Sequence, residues 1–291
     1  MPVSRIQLKV LTCLCLAILP LGGCFVQKRV VPPPAGTPPN RTLLTATKQQ
    51  LIDRIHLVYD PVQSFNMRAD MAPSVGTVNG GGELTDYATI RAYVLFQRPA
   101  GIRVIGLDPV VHSTTIFDMA SMGENFRVSI PSKNAFYTGS NRSAPSSKNK
   151  LENLRPTAFL EAMIVAPPDP EDLTLVEDDT DATKAVYILE MIRQEQGQLR
   201  LVRTIYLDRY TLQIVRQKTF DASGNILGET RYSDWKAYDK VFFPSIIVLR
   251  RPQDGYEVTM TVVDMKINTP DVTAEKFVLE QPAGSHLTQL K

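Results

Sequence analysis

The chain has 291 residues, with 32 Lys and Arg against 30 Asp and Glu, for a formal net charge of +2. That balance gives no electrostatic case for a nucleic-acid partner or for general attraction to anionic surfaces, so recognition by shape and apolar contact is expected. The length is ample for one large core or two small ones.

The N-terminal stretch is the most specific. Arg5 and Lys9 precede an apolar run from Val10 to Leu21, about a dozen residues and too short to span a bilayer comfortably. Small residues then lead into a cysteine, as Leu21-Gly22-Gly23-Cys24. This pattern resembles the lipobox of bacterial lipoproteins. The resemblance implies removal of residues 1–23 and acylation of Cys24, with two or more acyl chains giving stable anchoring. Cys13 and Cys15 would be discarded, leaving no disulfide, free thiol or Cys-based metal site in the folded part. Phe25 stands where lipoproteins retained in the inner membrane carry Asp. By that analogy the chain goes to the outer membrane and faces the periplasm.

Residues 24–43 hold the lipidated Cys and a proline-rich run, Val30 to Pro39, which reads as a polyproline II spacer. A helix follows, capped by Thr45 or Thr47, with Leu51, Ile52, Ile55 and Val58 on one stripe and Asp60-Pro61 ending it. The pattern then alternates. Phe65, Met67, Ala69 and Met71 form one such row, Ile90, Ala92, Val94 and Phe96 a second, and Phe126, Val128 and Ile130 a third. Asn79 to Gly82 and Pro99 to Gly101 carry turn chemistry. Further strands are expected at 112–120 and 134–138. Ser140 to Lys150 reads as a polar loop, Pro156 opens a short helix to Ile164, and Pro167-Pro168 ends it. The acidic segment Asp169–Asp181 reads as a solvated loop. Strands resume at 184–193, 198–207, 211–220, 226–237, 241–251 and 256–267. The sum is about eleven or twelve antiparallel strands in one continuous sheet.

Catalytic patterns are absent. His56, His112 and His286 form no zinc motif. Ser147 and Lys150 have a Ser-x-x-Lys spacing without its helix or its Lys-Thr-Gly strand. Gly80 to Gly82 lack the Lys-Ser or Lys-Thr of a phosphate loop. The acidic run lacks the glycine and spacing of a calcium loop. Trp235 and Tyr238 read as packing residues. No cofactor, metal or enzymatic activity is expected.

The order of elements, together with Ile205-Tyr206-Leu207-Asp208, Tyr232-Ser233-Asp234-Trp235, Val241-Phe242-Phe243-Pro244, Met265-Lys266-Ile267-Asn268 and Phe277-Val278-Leu279, resembles the LolA and LolB proteins of bacterial lipoprotein localisation. The resemblance covers residues 42–285. It implies a mainly β (α+β) fold: a strongly curved antiparallel half-barrel over 44–285, with two or three helices covering its concave face and 286–291 as a tail. It further implies an acyl cavity, with Val94, Phe96, Val104, Phe126 and Val128 as candidate lining. Leu107, Val110 and Val111 occupy the place of the receptor's exposed loop, a candidate contact with membrane or partner. The implied partners are an acyl lipid or lipidated protein, the membrane through the anchor, and a periplasmic carrier protein, with the chain itself a monomer. The alternative is a periplasmic sensor or scaffold that uses the same fold to bind a protein.

Overall fold

The computed structural model describes residues 42–76, 83–141, 153 and 155–290. Cys24 and the segment before it, the proline run, the Asn79–Gly82 turn and the Ser147–Lys150 spacing lie outside the described residues.

Helix α1 (Lys48–Tyr59) starts at Thr47 through a reciprocal cap. The Thr47 hydroxyl accepts from the Gln50 N–H at 3.3 Å, and the Gln50 side chain accepts from the Thr47 N–H at 2.8 Å. Leu51 and Ile55 are fully buried. A chain of antiparallel strands follows: β1 (Ser64–Gly76), β2 (Leu84–Asp86), β3 (Ile90–Gln97), β4 (Gly101–Leu107), β5 (Thr115–Met122), β6 (Asn125–Ile130) and β7 (Ala135–Ser140). Helix α2 (Pro156–Met163) then crosses to β8 (Leu173–Thr180), β9 (Ala185–Glu195), β10 (Gln198–Asp208), β11 (Ile214–Phe220), β12 (Ile226–Tyr238), β13 (Val241–Arg251) and β14 (Tyr256–Ile267). Last comes β15 (His286–Gln289).

All fifteen strands make one curved sheet, in the order β15-β7-β6-β5-β4-β3-β1-β14-β13-β12-β11-β10-β9-β8, with β2 paired to β1 off this path. The two strand-rich halves join where β14 pairs with β1, Phe65 opposite Ile267. Strands β8 and β15 are the two edges, so the sheet does not close. The mainly β, continuous architecture is as expected.

Period-two alternation places the core. Phe65, Met67 and Ala69 on β1 and Ala92, Val94 and Phe96 on β3 are at most 1% exposed. Their face is shared by Ile205 and Leu207 on β10, Ile247 and Leu249 on β13, and Met260 on β14. Leu51 and Ile55 of α1 and Ala158, Phe159, Ala162 and Met163 of α2 belong to the same core. Each large apolar side chain buried there contributes about 1.5–3 kcal/mol.

Three strands go beyond the expected eleven or twelve. The acidic segment is not a loop: Leu173–Thr180 pairs along its whole length with β9. Its charges are carried by cations alongside, Arg209 at 3.0 Å from Asp178 and Lys184 at 2.5 Å from Asp179. Residues 286–289 pair in parallel with β7 and do not hang free as a tail. The short β2 was also not foreseen. Strand β11 begins at Ile214 because the Asp208 carboxylate accepts from the Tyr210 and Thr211 N–H groups, each at 2.9 Å, and holds residues 209–212 as a turn.

The C-terminal segment covers the outer face of the first half. Arg103 bonds Asp118 through both arms of its fork, at 3.0 and 2.7 Å, and donates to the Lys276 carbonyl at 2.8 Å. Arg127 donates to the Leu279 carbonyl at 2.8 Å. Leu279 packs with Ala120 and Phe136 in a small second core.

Candidate functional site

The five candidate lining residues come together on neighbouring strands. Val94 lies opposite Val104, Phe65 opposite Phe96, and the Phe65 and Phe96 rings stand 5.2 Å apart. Val94, Phe96, Val104, Phe126 and Val128 are 0–2% exposed. They pack in one core with Leu51 and Ile55 of α1 and Phe159 and Met163 of α2. In this state the apolar face is filled by the protein itself. Beneath α2 lies a void of about 10 Å³, beside Ala162, Gln217 and Thr230.

Among the described residues, three larger openings lie at the helix margins. A cleft of about 440 Å³ runs beside the segment after α2, lined by Tyr59, Ala166, Pro168, Val202, Arg203 and Thr219. A groove of about 330 Å³ lies between α1 and the β12–β13 end, lined by Leu57, Val58, Leu212, Trp235 and Phe242. Another of about 350 Å³ lies at the start of α1, beside Leu44, Ala46 and Leu57. Leu57 and Phe242 are 65% and 53% exposed, an apolar surface facing water. Trp235 and Tyr238 pack against the core.

A polar group interrupts the inner face under α2. Arg203 and Arg251 fall in the rows of Ile205 and Leu249, where alternation calls for apolar side chains. Arg251 is paired to Asp254 at 2.7 Å. Arg203 donates to the Pro167 carbonyl at 2.9 Å and has no ion pair among the described residues. Burial pushes its guanidinium down, offset in part by Asp172, Tyr232 and Glu161. Glu161 of α2 is reached by water, yet protein crowds it on most sides. That desolvation pushes its carboxyl up, against the pull of Arg251 and Arg203. The Tyr256 hydroxyl and the Gln217 side-chain carbonyl are buried with no hydrogen-bond partner among the described residues. None of these polar residues was singled out from sequence. The signal was there, as two arginines in apolar rows.

The exposed-loop residues lie between β4 and β5. Leu107 is half-buried as the last residue of β4, whereas Val110 and Val111 are 84% and 53% exposed. The Asp108 carboxylate accepts from the Val110 and Val111 N–H groups at 2.8 and 2.7 Å, which holds both side chains outward. These bonds keep the Asp108 carboxyl below its ordinary range.

The histidines sit on separate elements. His56 meets Asp60 at 3.0 Å on α1, His112 meets the Asp108 carbonyl at 3.2 Å, and His286 opens β15. Among the described residues no group of three or more His, Cys, Asp or Glu is placed to hold a metal ion. No described helix is long and apolar enough to cross a membrane.

No protein-family model and no curated protein matches the chain in sequence. Solved structures do match in shape. A LolA-superfamily protein from Nitrosomonas europaea superposes with a TM-score of 0.51 at 14% identity, over 81% of this chain and 99% of that one. This chain has a LolA-type fold. A DUF1329-family protein from Desulfovibrio piger also superposes, with a TM-score of 0.50 at 14% identity, over 78% of this chain and 96% of that one. The LolA-type likeness concerns the path of the chain. It gives the open sheet a counterpart but carries no residue's role across.

Proposed function

We propose that the chain is an outer-membrane lipoprotein, anchored through Cys24 and facing the periplasm, whose open sheet binds the acyl chain of a lipid or lipidated protein. The observation that carries this reading is how the apolar face is covered. A sheet that does not close leaves a concave apolar surface. Two short helices pack into the core, α1 through Leu51 and Ile55 and α2 through Phe159 and Met163, and in this reading they act as its cover. Such a cover can lift at the cost of a few buried side chains, and the margin clefts are where lifting would begin. An acyl chain entering beneath would recover about 0.8 kcal/mol per buried methylene. Val94, Phe96, Val104, Phe126 and Val128 then line the cavity. The fold likeness to a LolA-superfamily protein supports this reading.

Val110 and Val111 present apolar surface to a membrane or a carrier protein. The chain acts by binding, as a monomer, without catalysis or cofactor. A second reading, a sensor or scaffold that binds a protein, is favoured by the β8 edge. There Leu173 and Leu175 are 55% and 53% exposed beside backbone groups open to pairing.

Native mass spectrometry of the full chain, with organic extraction, tests the main reading. A co-purifying phospholipid or lipopeptide supports it. A chain that is empty and takes up no added lysophospholipid would sink it and favour the scaffold.

A further inference from the structure

We propose that the cleft at Arg203 is a headgroup site, and that the ligand is an anionic amphiphile whose carboxylate or phosphate is held by the Arg203 guanidinium. The inference rests on the acyl-binding reading and names the chemistry of the ligand's polar end. Arg193 and Arg203 line the cleft, together with Asp169 and Asp172, and a third arginine, Arg251, lines the adjoining void beneath α2. Arg193 is taken up by Asp172, at 2.7 and 2.9 Å, with Asp169 at 3.8 Å. Arg251 is taken up by Asp254 at 2.7 Å. Arg203 alone of the three has no carboxylate within ion-pair range among the described residues; its bond goes to the neutral Pro167 carbonyl at 2.9 Å.

A half-buried cation whose one bond goes to a neutral carbonyl is incompletely compensated, and an anion in the cleft would supply the missing charge. The guanidinium fork matches a carboxylate or phosphate through paired N–H donors. Two negative groups act on Arg203 from outside ion-pair range, Asp172 and Glu161. The first is offset by Arg193, and the second feels Arg251 as well as Arg203.

The walls supply the other half of the chemistry. Ala166, Pro168, Val202 and the Tyr59 ring are apolar, and proline offers no N–H to compete for the anion. The volume of about 440 Å³ falls in the range of small-molecule sites. The cleft also adjoins the helix margin, because Thr219 lines both it and the void beneath α2. A head held at Arg203 therefore has its tail directed at the apolar face.

Calorimetric titration of the full chain with dodecanoate, dodecanol and inorganic phosphate tests the assignment. Dodecanoate is expected to bind about tenfold or more tighter than dodecanol, and Arg203→Gln to erase that difference. Arg203→Lys should retain part of it. Ala166→Phe, which fills the cleft from its wall without changing charge, should weaken dodecanoate binding and keeps the test open should Arg203→Gln not fold. Equal binding of acid and alcohol overturns the headgroup site while leaving acyl binding intact; binding of neither overturns both. Discrimination that survives Arg203→Gln, or dodecanoate binding unchanged by Ala166→Phe, also overturns the site. Inorganic phosphate that displaces dodecanoate at equal concentration would make the cleft a free-anion site and overturn the amphiphile.

Discussion

Asn268 ends β14 with left-handed backbone at φ 57°, and its side chain ties the last long strand to the first. Its amide oxygen accepts from the Gln63 and Ser64 N–H groups at 2.8 and 3.1 Å, and its amide nitrogen donates to the Pro61 carbonyl at 2.7 Å. Asn268→Ala removes all three bonds and should cost about 1–2 kcal/mol, read as a lower urea midpoint. Glu161 gives a pH dependence. Its folded carboxyl lies above the ordinary value of 4.5, so folding carries no cost from it while it is neutral in both states. The cost enters as pH rises past the unfolded value and is complete above the folded one. Relative to the parent chain, Glu161→Gln should therefore gain in melting temperature as pH rises from below 4.5 through the range just above it. A difference that is flat or reversed across that window contradicts the assignment.

Among the elements, α1 is fastened at one end by Arg98. The guanidinium donates to the Tyr59 carbonyl and, at 2.7 Å, to the Val62 carbonyl, and lies 3.7 Å from the centre of the Tyr59 ring. The Tyr59 carbonyl, at the helix end, also accepts from the Val62 N–H at 3.2 Å, so Arg98 and the turn after the helix fasten the same point. Arg98→Ala should speed amide exchange in the last turn of α1 by about tenfold while β1 and β14 stay protected. Uniform acceleration would mean that α1 does not loosen separately from the sheet. The β4–β5 loop is tested by Val110→Asp with Val111→Asp: co-sedimentation with phospholipid vesicles should fall while the melting temperature holds. Strands with clean alternation, such as β3, β13 and β14, were legible in sequence to within a residue or two, because one face is core and the other is not. Strand β8 was hidden by its charges: Glu177 and Asp178 are indeed exposed, but on an edge strand, where solvent together with Arg209 and Lys184 accommodates them. Strand β15 was too short to show a period. The candidate lining residues were legible as an apolar row, but alternation alone cannot separate a filled core from a cavity. Arg203 went unread because its partner is a backbone carbonyl contributed from the Pro167 segment, far away in sequence.

At the scale of the molecule, fifteen strands bury one apolar face without closing, and two short helices are left to finish the core. A closed small barrel would fill its interior with side chains and have no need of them. In the acyl-binding account these helices are a cover that can lift from an open sheet, and the account rests on that difference. Photo-crosslinking with a diazirine-bearing fatty acid, followed by peptide mapping, tests it most directly. The account predicts adducts on the inward residues, Phe96, Val104 and Phe126 of the sheet and Leu51 or Phe159 of the helices. Adducts confined to exposed positions such as Leu173, Leu175 and Leu199, with the inner face unlabelled, would contradict it.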